Sequence, residues 1–67
     1  MYENKQAICD KLAEALKLTR NCFDLQEIKY DAEREVATVG FKNGSVPVNV
    51  AMDSGTAMIR DIMRAIP

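Results

Sequence analysis

The hydrophobic and polar positions of the chain repeat with a helical period near both ends and with a period of two in the middle. In residues 4–18, and again after Ser54, apolar residues return every three or four positions, which predicts two amphipathic helices. Asn4 is the expected N-cap of the first helix, and Asp53 with Ser54 is expected to cap the second. The two apolar stripes consist of Ile8, Leu12, Ala15 and Leu16 in the first helix and of Met58, Ile59, Ile62, Met63 and Ile66 in the second.

The first segment with a period of two, residues 23–30, changes phase between Leu25 and Ile28. A β-bulge, or a strand that begins only near Gln26, would account for the change. The polar residues 31–34 that follow are typical of a turn. The segment is therefore predicted to be the first strand of a sheet.

Two further strands are predicted at residues 35–41 and 46–52, because both segments are rich in β-branched residues. Residues 42–45 lie between them and contain Asn43 and Gly44. Asn-Gly between two strands is a strong hairpin signal, since both residue types tolerate a positive φ. A β-hairpin with a four-residue tip is the prediction.

The alternation along the last strand predicts a register for this hairpin in which the large apolar side chains, Met52 among them, share one face. The expected opposite pairs are Phe41 with Val46, Val39 with Val48, and Ala37 with Val50. Pro47 has no N–H, so it should occupy a position that does not hydrogen-bond to the middle strand. The same proline favours an edge strand.

These elements predict one α+β domain over residues 1–67, a two-layer αβββα fold with both helices on one face of a three-stranded antiparallel sheet. The other face of the sheet is left uncovered and carries small, uncharged residues on its second and third strands. Such a face is a candidate surface for dimerisation or for a protein partner, although it is also compatible with simple exposure to solvent. The candidate partner-binding residues are Val36, Thr38, Gly40, Pro47, Asn49 and Ala51.

The composition narrows the class of protein. Hydrophobic residues make up 48% of the chain and charged residues 28%, which favours a folded domain over a disordered segment. The net charge of −1 gives no basic field, so general nucleic-acid binding is disfavoured by charge. No apolar run is long enough to span a membrane, and no apolar signal region follows the first residues. A cytoplasmic protein without membrane contact is expected.

Residues able to carry catalysis are scarce in the sequence. Histidine is absent, which removes the commonest general base and metal ligand. Cys9 and Cys22 are expected to be reduced and buried, and two thiols without histidine are too few for structural zinc. The acidic residues around the first hairpin are better explained as a solvated rim than as a cation site. No catalytic residue, cofactor or metal is therefore assigned.

The segment from Asp53 to Thr56 has the form of the Asp-Ser/Thr-Gly-Ser/Thr signature of aspartic proteases. A helix cap explains the same residues, since Asp or Ser can accept hydrogen bonds at the helix start. An enzyme built on Asp53 stays a minor alternative. Free N–H groups at this helix start make the segment a candidate anion or nucleic-acid contact, with two exposed arginines on the same helix. The residues proposed for this contact are Ser54, Gly55, Thr56, Arg60 and Arg64.

Three stretches carry a resemblance to known families: the Asn43-Gly44 turn, residues 46–50, and residues 55–62 at the start of the last helix. With its order of helix, three strands and helix, the chain resembles the double-stranded-RNA-binding domain and the HicA-type toxins, which share the αβββα topology. The resemblance implies the fold. It does not imply the function, because RNA-binding members have a lysine-rich start to the second helix and the toxins use a histidine.

Taken together, the sequence favours a non-enzymatic interaction module of unknown process, either a homo-oligomer or a subunit that binds a protein partner through the open face of the sheet. The alternative is a degenerate nucleic-acid-binding domain related to the RNA-binding fold, with Arg60, Arg64 and the lysines of the first helix as contacts.

Overall fold

The computed structural model describes residues 3–66 and shows a two-layer αβββα fold. The three strands form one antiparallel sheet in the order β1-β2-β3. This architecture confirms the predicted fold class. The elements are α1 (Lys5–Leu16), β1 (Leu25–Asp31), β2 (Val36–Phe41), β3 (Gly44–Asn49) and α2 (Gly55–Ala65).

A single hydrophobic core lies between the two helices and one face of the sheet, hereafter the inner face. Helix α1 packs mainly on β1, α2 packs on β3, and the helices also contact each other. Within residues 3–66 no polar or charged side chain is buried in this core. Its members are Cys9, Ala13, Leu16, Cys22, Leu25, Ile28, Ala37, Val39, Val48, Val50, Met58 and Ile62.

Helix α1 begins as predicted, because the side chain of Asn4 accepts a hydrogen bond from the N–H of Ala7 at 3.0 Å. Its buried residues differ from the predicted stripe. Ala15 is exposed, so its assignment to the apolar stripe was wrong. The small residues Cys9 and Ala13 are buried instead, because they allow the helix to approach β1 closely.

Helix α2 also begins at its predicted cap, with the Ser54 hydroxyl accepting the N–H of Ala57 at 3.2 Å. Within α2, the side chains of Met58 and Ile62 are fully buried in the core. The prediction that Met52 lies on the inner face was wrong, since its side chain is 95% exposed. The chain turns after Val50, and Met52 has a φ of 62°, which points it away from the sheet.

The predicted irregularity in β1 is confirmed as a β-bulge. Leu25 lies opposite Phe41, but Glu27 lies opposite Gly40, so one extra residue is inserted between Leu25 and Glu27. The insertion restores the phase, and both Leu25 and Ile28 are buried on the inner face.

The predicted register of the second hairpin was wrong by two residues, and so was its four-residue tip. Only Lys42 and Asn43 lie in the loop, and Gly44 and Ser45 already belong to β3. Among residues 3–66 a positive φ occurs only at Glu35 and Met52, so the Asn-Gly pair does not use the left-handed conformation that suggested the turn. The observed opposite pairs are Phe41 with Gly44, Val39 with Val46, and Ala37 with Val48.

A shift of two residues leaves every side chain of the hairpin on its predicted face, because side chains alternate along a strand. Phe41 and Val48 therefore share the inner face. Pro47 lies opposite Thr38 in the edge strand β3. The N–H of Val50 donates to the carbonyl of Glu35, so these two residues form a hydrogen-bonded pair. Bonded and non-bonded pairs alternate along an antiparallel ladder, which makes Thr38 and Pro47 a non-hydrogen-bonded pair. Pro47 therefore occupies the kind of position that its missing N–H requires.

At the free edge of β1, one side chain of α1 hydrogen-bonds to two backbone groups of the strand. The Gln6 side-chain oxygen accepts the N–H of Tyr30 at 2.9 Å, and its Nε2 donates to the carbonyl of Ile28 at 3.3 Å. Nε2 also donates to Asp10 one helical turn later, which holds the amide in place. Gln6 thus supplies to β1 the donor and the acceptor that a neighbouring strand would supply.

Replacing Gln6 with alanine is expected to lower the free energy of unfolding by about 1–2 kcal/mol, because two backbone groups of β1 lose their partner. Urea denaturation measures the loss, and hydrogen exchange should speed up at the Tyr30 amide. The matched control is Glu14→Ala, an exposed position on the same helix, with an expected change within about 0.5 kcal/mol. Equal stability of the two variants would contradict the role given to Gln6.

Candidate interaction surface

The outer face of the sheet, the side opposite the core, is not covered by either helix. The β2 residues Val36, Thr38 and Gly40 are half-buried by their neighbours, whereas Pro47 and Asn49 of β3 are exposed. The observed register brings these five predicted residues together on that face. Ala51, the sixth, lies in the turn just after β3, where its N–H donates to the Asn49 side chain at 2.9 Å.

Strand β1 adds a charged row to the outer face, which sequence reasoning had described as a solvated rim of the first hairpin without placing it on this face. Glu27, Lys29 and Asp31 are exposed and lie opposite Gly40, Thr38 and Val36 respectively. Their alternation with Ile28 and Tyr30 was visible in the sequence and could have placed them on this face. The outer face therefore has an uncharged half on β2 and β3 and a charged rim of mixed sign on β1.

The two edges of the sheet are less suited to binding than its outer face. Gln6 occupies the edge of β1. At the edge of β3, Pro47 offers no N–H at the middle of the strand, which interrupts the ladder that an added strand would need. Strand addition is therefore opposed at both edges.

The start of α2, predicted as an anion contact, is occupied by groups of the chain itself. The N–H of Gly55 donates to the Glu3 carboxylate at 2.8 Å, and the N–H of Ala57 donates to Ser54. A Cβ added at Gly55 would meet Glu3 and lie 2.8 Å from the Ile8 side chain, so a larger residue here would require the ends of both side chains to shift. An external anion would have to displace Glu3.

The remaining residues of that prediction are exposed to solvent. Thr56 lies in the first turn of α2, and Arg60 and Arg64 lie one turn apart farther along the helix. Arg60 is also close enough to Asp53 to act on its charge, so part of its positive field is directed at the protein's own carboxylate.

Asp53 and Asp61 form a carboxyl pair beside the start of α2. A hydrogen bond with the Asp61 side chain raises the pKa of Asp53 above its ordinary value, and desolvation and the Asp61 charge raise it further. Lys5 and Arg60 act in the opposite direction. The Asp53 Oδ2 is shielded from solvent, and within residues 3–66 no group donates to it, so a proton shared with Asp61 would supply the missing partner.

Other reactive groups are sparse in the described part of the chain. Cys9 and Cys22 are free and buried, as predicted. Among residues 3–66 no three or more histidine, cysteine, aspartate or glutamate side chains come together in a way that could hold a metal ion. No helix in this range is long and apolar enough to cross a membrane.

Comparison of the chain with protein-family models, with curated proteins and with solved structures finds no match. The interpretation of its function therefore depends on its own surfaces.

Replacing Asp61 with asparagine is expected to stabilise the fold at neutral pH and to change little below about pH 4. The raised pKa of Asp53 means that the pair's stabilising contribution is complete at low pH and is lost as the pH rises through that raised value. Asparagine removes one charge and can donate to Asp53. Urea denaturation of both proteins across this pH range measures the difference.

The control for this experiment is Glu33→Gln, an exposed carboxylate in the first hairpin. The difference in free energy of unfolding between Glu33→Gln and the wild type should not vary with pH in the same way. A stability difference for Asp61→Asn that stayed constant from acidic to neutral pH would contradict the shared proton.

Proposed function

We propose that this chain is a non-enzymatic interaction module whose outer sheet face binds a protein surface, either a second copy or a different protein. The observation that carries the proposal is that one whole face of a three-stranded sheet is left without a covering layer. Monomers that leave such a face open usually place charged side chains across it. Here the charges are confined to the β1 rim.

The chemistry of the outer face suits a protein partner better than a polyanion. Its centre, around Thr38 and Gly40, is small and uncharged and can come close to another flat surface. Its rim alternates in sign from Glu27 through Lys29 to Asp31, which favours a partner with complementary charges of both signs. The net charge of −1 gives no long-range attraction to phosphate.

The alternative is nucleic-acid binding, which rests on the order αβββα that this chain shares with the double-stranded-RNA-binding domain and the HicA-type toxins. The exposed Arg60 and Arg64 on α2 would make the contact. This alternative requires salt-sensitive binding to duplex RNA that is weakened by Arg60→Ala. Failure to bind duplex RNA at low salt would eliminate it.

A photoreactive phenylalanine analogue at Ser45 tests the proposed contact on the outer face. Ser45 is exposed and lies opposite Gly40 on that face. Irradiation in the cells that make the protein is expected to give a discrete cross-linked species, with a second copy or with another protein. Adding Thr38→Glu should reduce its yield about tenfold, since a charge placed at the centre of the contact opposes its desolvation.

The matched control is Ala15→Glu, which adds the same charge at an exposed position of α1. Thr38→Glu is expected to keep the fold because Lys29 lies directly opposite and can pair with the new carboxylate. The proposal is contradicted if Ser45 gives no cross-linked species, or if both glutamate variants reduce the yield equally.

A further inference from the structure

We infer that a second copy of this chain docks at an apolar groove beside the tip of the β2–β3 hairpin, hereafter the end groove. The groove has a volume of about 440 Å³ and is lined by Asn21, Phe23, Asp24, Phe41 and Val46. It is separate from the outer face, because Phe41 and Val46 belong to the inner face of the sheet. The inference therefore does not depend on the proposed function.

Phe23 projects from the wall of the end groove. Its side chain is 81% exposed although its neighbours Cys22 and Leu25 are buried. The N–H of Leu25 donates to the carbonyl of Cys22 at 3.0 Å, which closes a turn with Phe23 at its outer side. Because Cys22 and Leu25, at the two ends of the turn, are buried in the core, the backbone of the turn holds Phe23 at the surface.

The floor of the end groove continues the hydrophobic core to the surface. Phe41 and Val46 pack against the core but remain partly exposed, so neither helix covers them fully. An exposed aromatic side chain beside a partly open core edge is typical of a surface that another protein covers.

The same patch thus contains both a projecting group and a groove, which is what a two-fold contact between identical chains requires. In such a contact each Phe23 packs against Phe41 and Val46 of the other copy. The rim is self-complementary in charge: the N–H of Lys42 donates to the Asp24 carbonyl at 3.0 Å, so residues of opposite charge are adjacent. Rotation by a two-fold axis can bring Asp24 of one copy towards Lys42 of the other.

A dimer formed through the end groove would leave both outer faces free. It would therefore present two copies of the proposed protein-binding surface and could bind a repeated or dimeric partner more tightly than one copy can.

Light scattering across a dilution series from millimolar to micromolar concentration tests the inference on the full chain. The wild type is expected to approach about twice 7.5 kDa at the highest concentration. Phe23→Ser should raise the dimer dissociation constant at least about 100-fold, because two phenylalanine side chains per dimer lose their burial. Met52→Asn, at a residue that is 95% exposed beyond the opposite end of β3, should leave it unchanged within about twofold, and Thr38→Glu is measured in parallel to test the outer face.

Each outcome decides between surfaces. Loss of the dimer in Phe23→Ser alone supports the end groove, and failure of the cross-linking from Ser45 would then affect only the proposed function. Loss in Thr38→Glu alone would assign self-association to the outer face and overturn the inference, as would a wild type that stays near 7.5 kDa throughout. If circular dichroism shows Phe23→Ser to be unfolded, Asp24→Lys replaces it: a weaker dimer supports the end groove, and an unchanged dimer overturns it.

Discussion

The structure depends on the packing of one face of a short sheet against two helices. Ile28, Val39 and Val50 are almost completely buried, as are Met58 and Ile62 of α2, and each such side chain contributes about 1.5–3 kcal/mol by leaving water. Because Cys9 and Cys22 are not bonded to each other, this burial has no covalent support. Both helices pack on the inner face of the sheet. The open outer face is thus a direct consequence of the packing that makes the fold stable.

The treatment of the sheet edges determines which surfaces remain for other molecules. An unprotected edge would invite strand addition and aggregation. Here Gln6 satisfies β1 from outside the sheet, and Pro47 interrupts β3. The Gln6 hydrogen bonds and the missing N–H of Pro47 do not contribute to the hydrophobic core, but they disfavour contacts at the edges of the sheet. What remains is the outer face and the end groove beside Phe23, which differ in chemistry: one is flat and mostly uncharged, and the other is concave and apolar.

The sequence predicted the faces of this sheet better than its pairings, for a physical reason. Side chains alternate with a period of two, so a register shift of two residues, as found between Phe41 and Gly44, cannot be detected from the pattern. The bulge after Leu25 was predictable because it breaks that period. The exposure of Phe23 and the contact of Gln6 with β1 were not, since both depend on how distant segments meet. The candidate outer face was predicted only in its uncharged half, because β1 was not aligned with it.

The central claim is that contacts with other molecules use the surfaces left by the packing and avoid the edges of the sheet. Residue-resolved NMR of backbone amides over a dilution series tests it most directly, since each amide reports its own surroundings. On self-association the amide signals of Phe23 and Asp24 should move with concentration, while those of Ser45 and Asn49 on the free edge of β3 stay constant. Movement at Ser45 and Asn49 without movement either at Phe23 or at Thr38 and Gly40, in the centre of the outer face, would show that copies meet edge to edge, and would contradict the account.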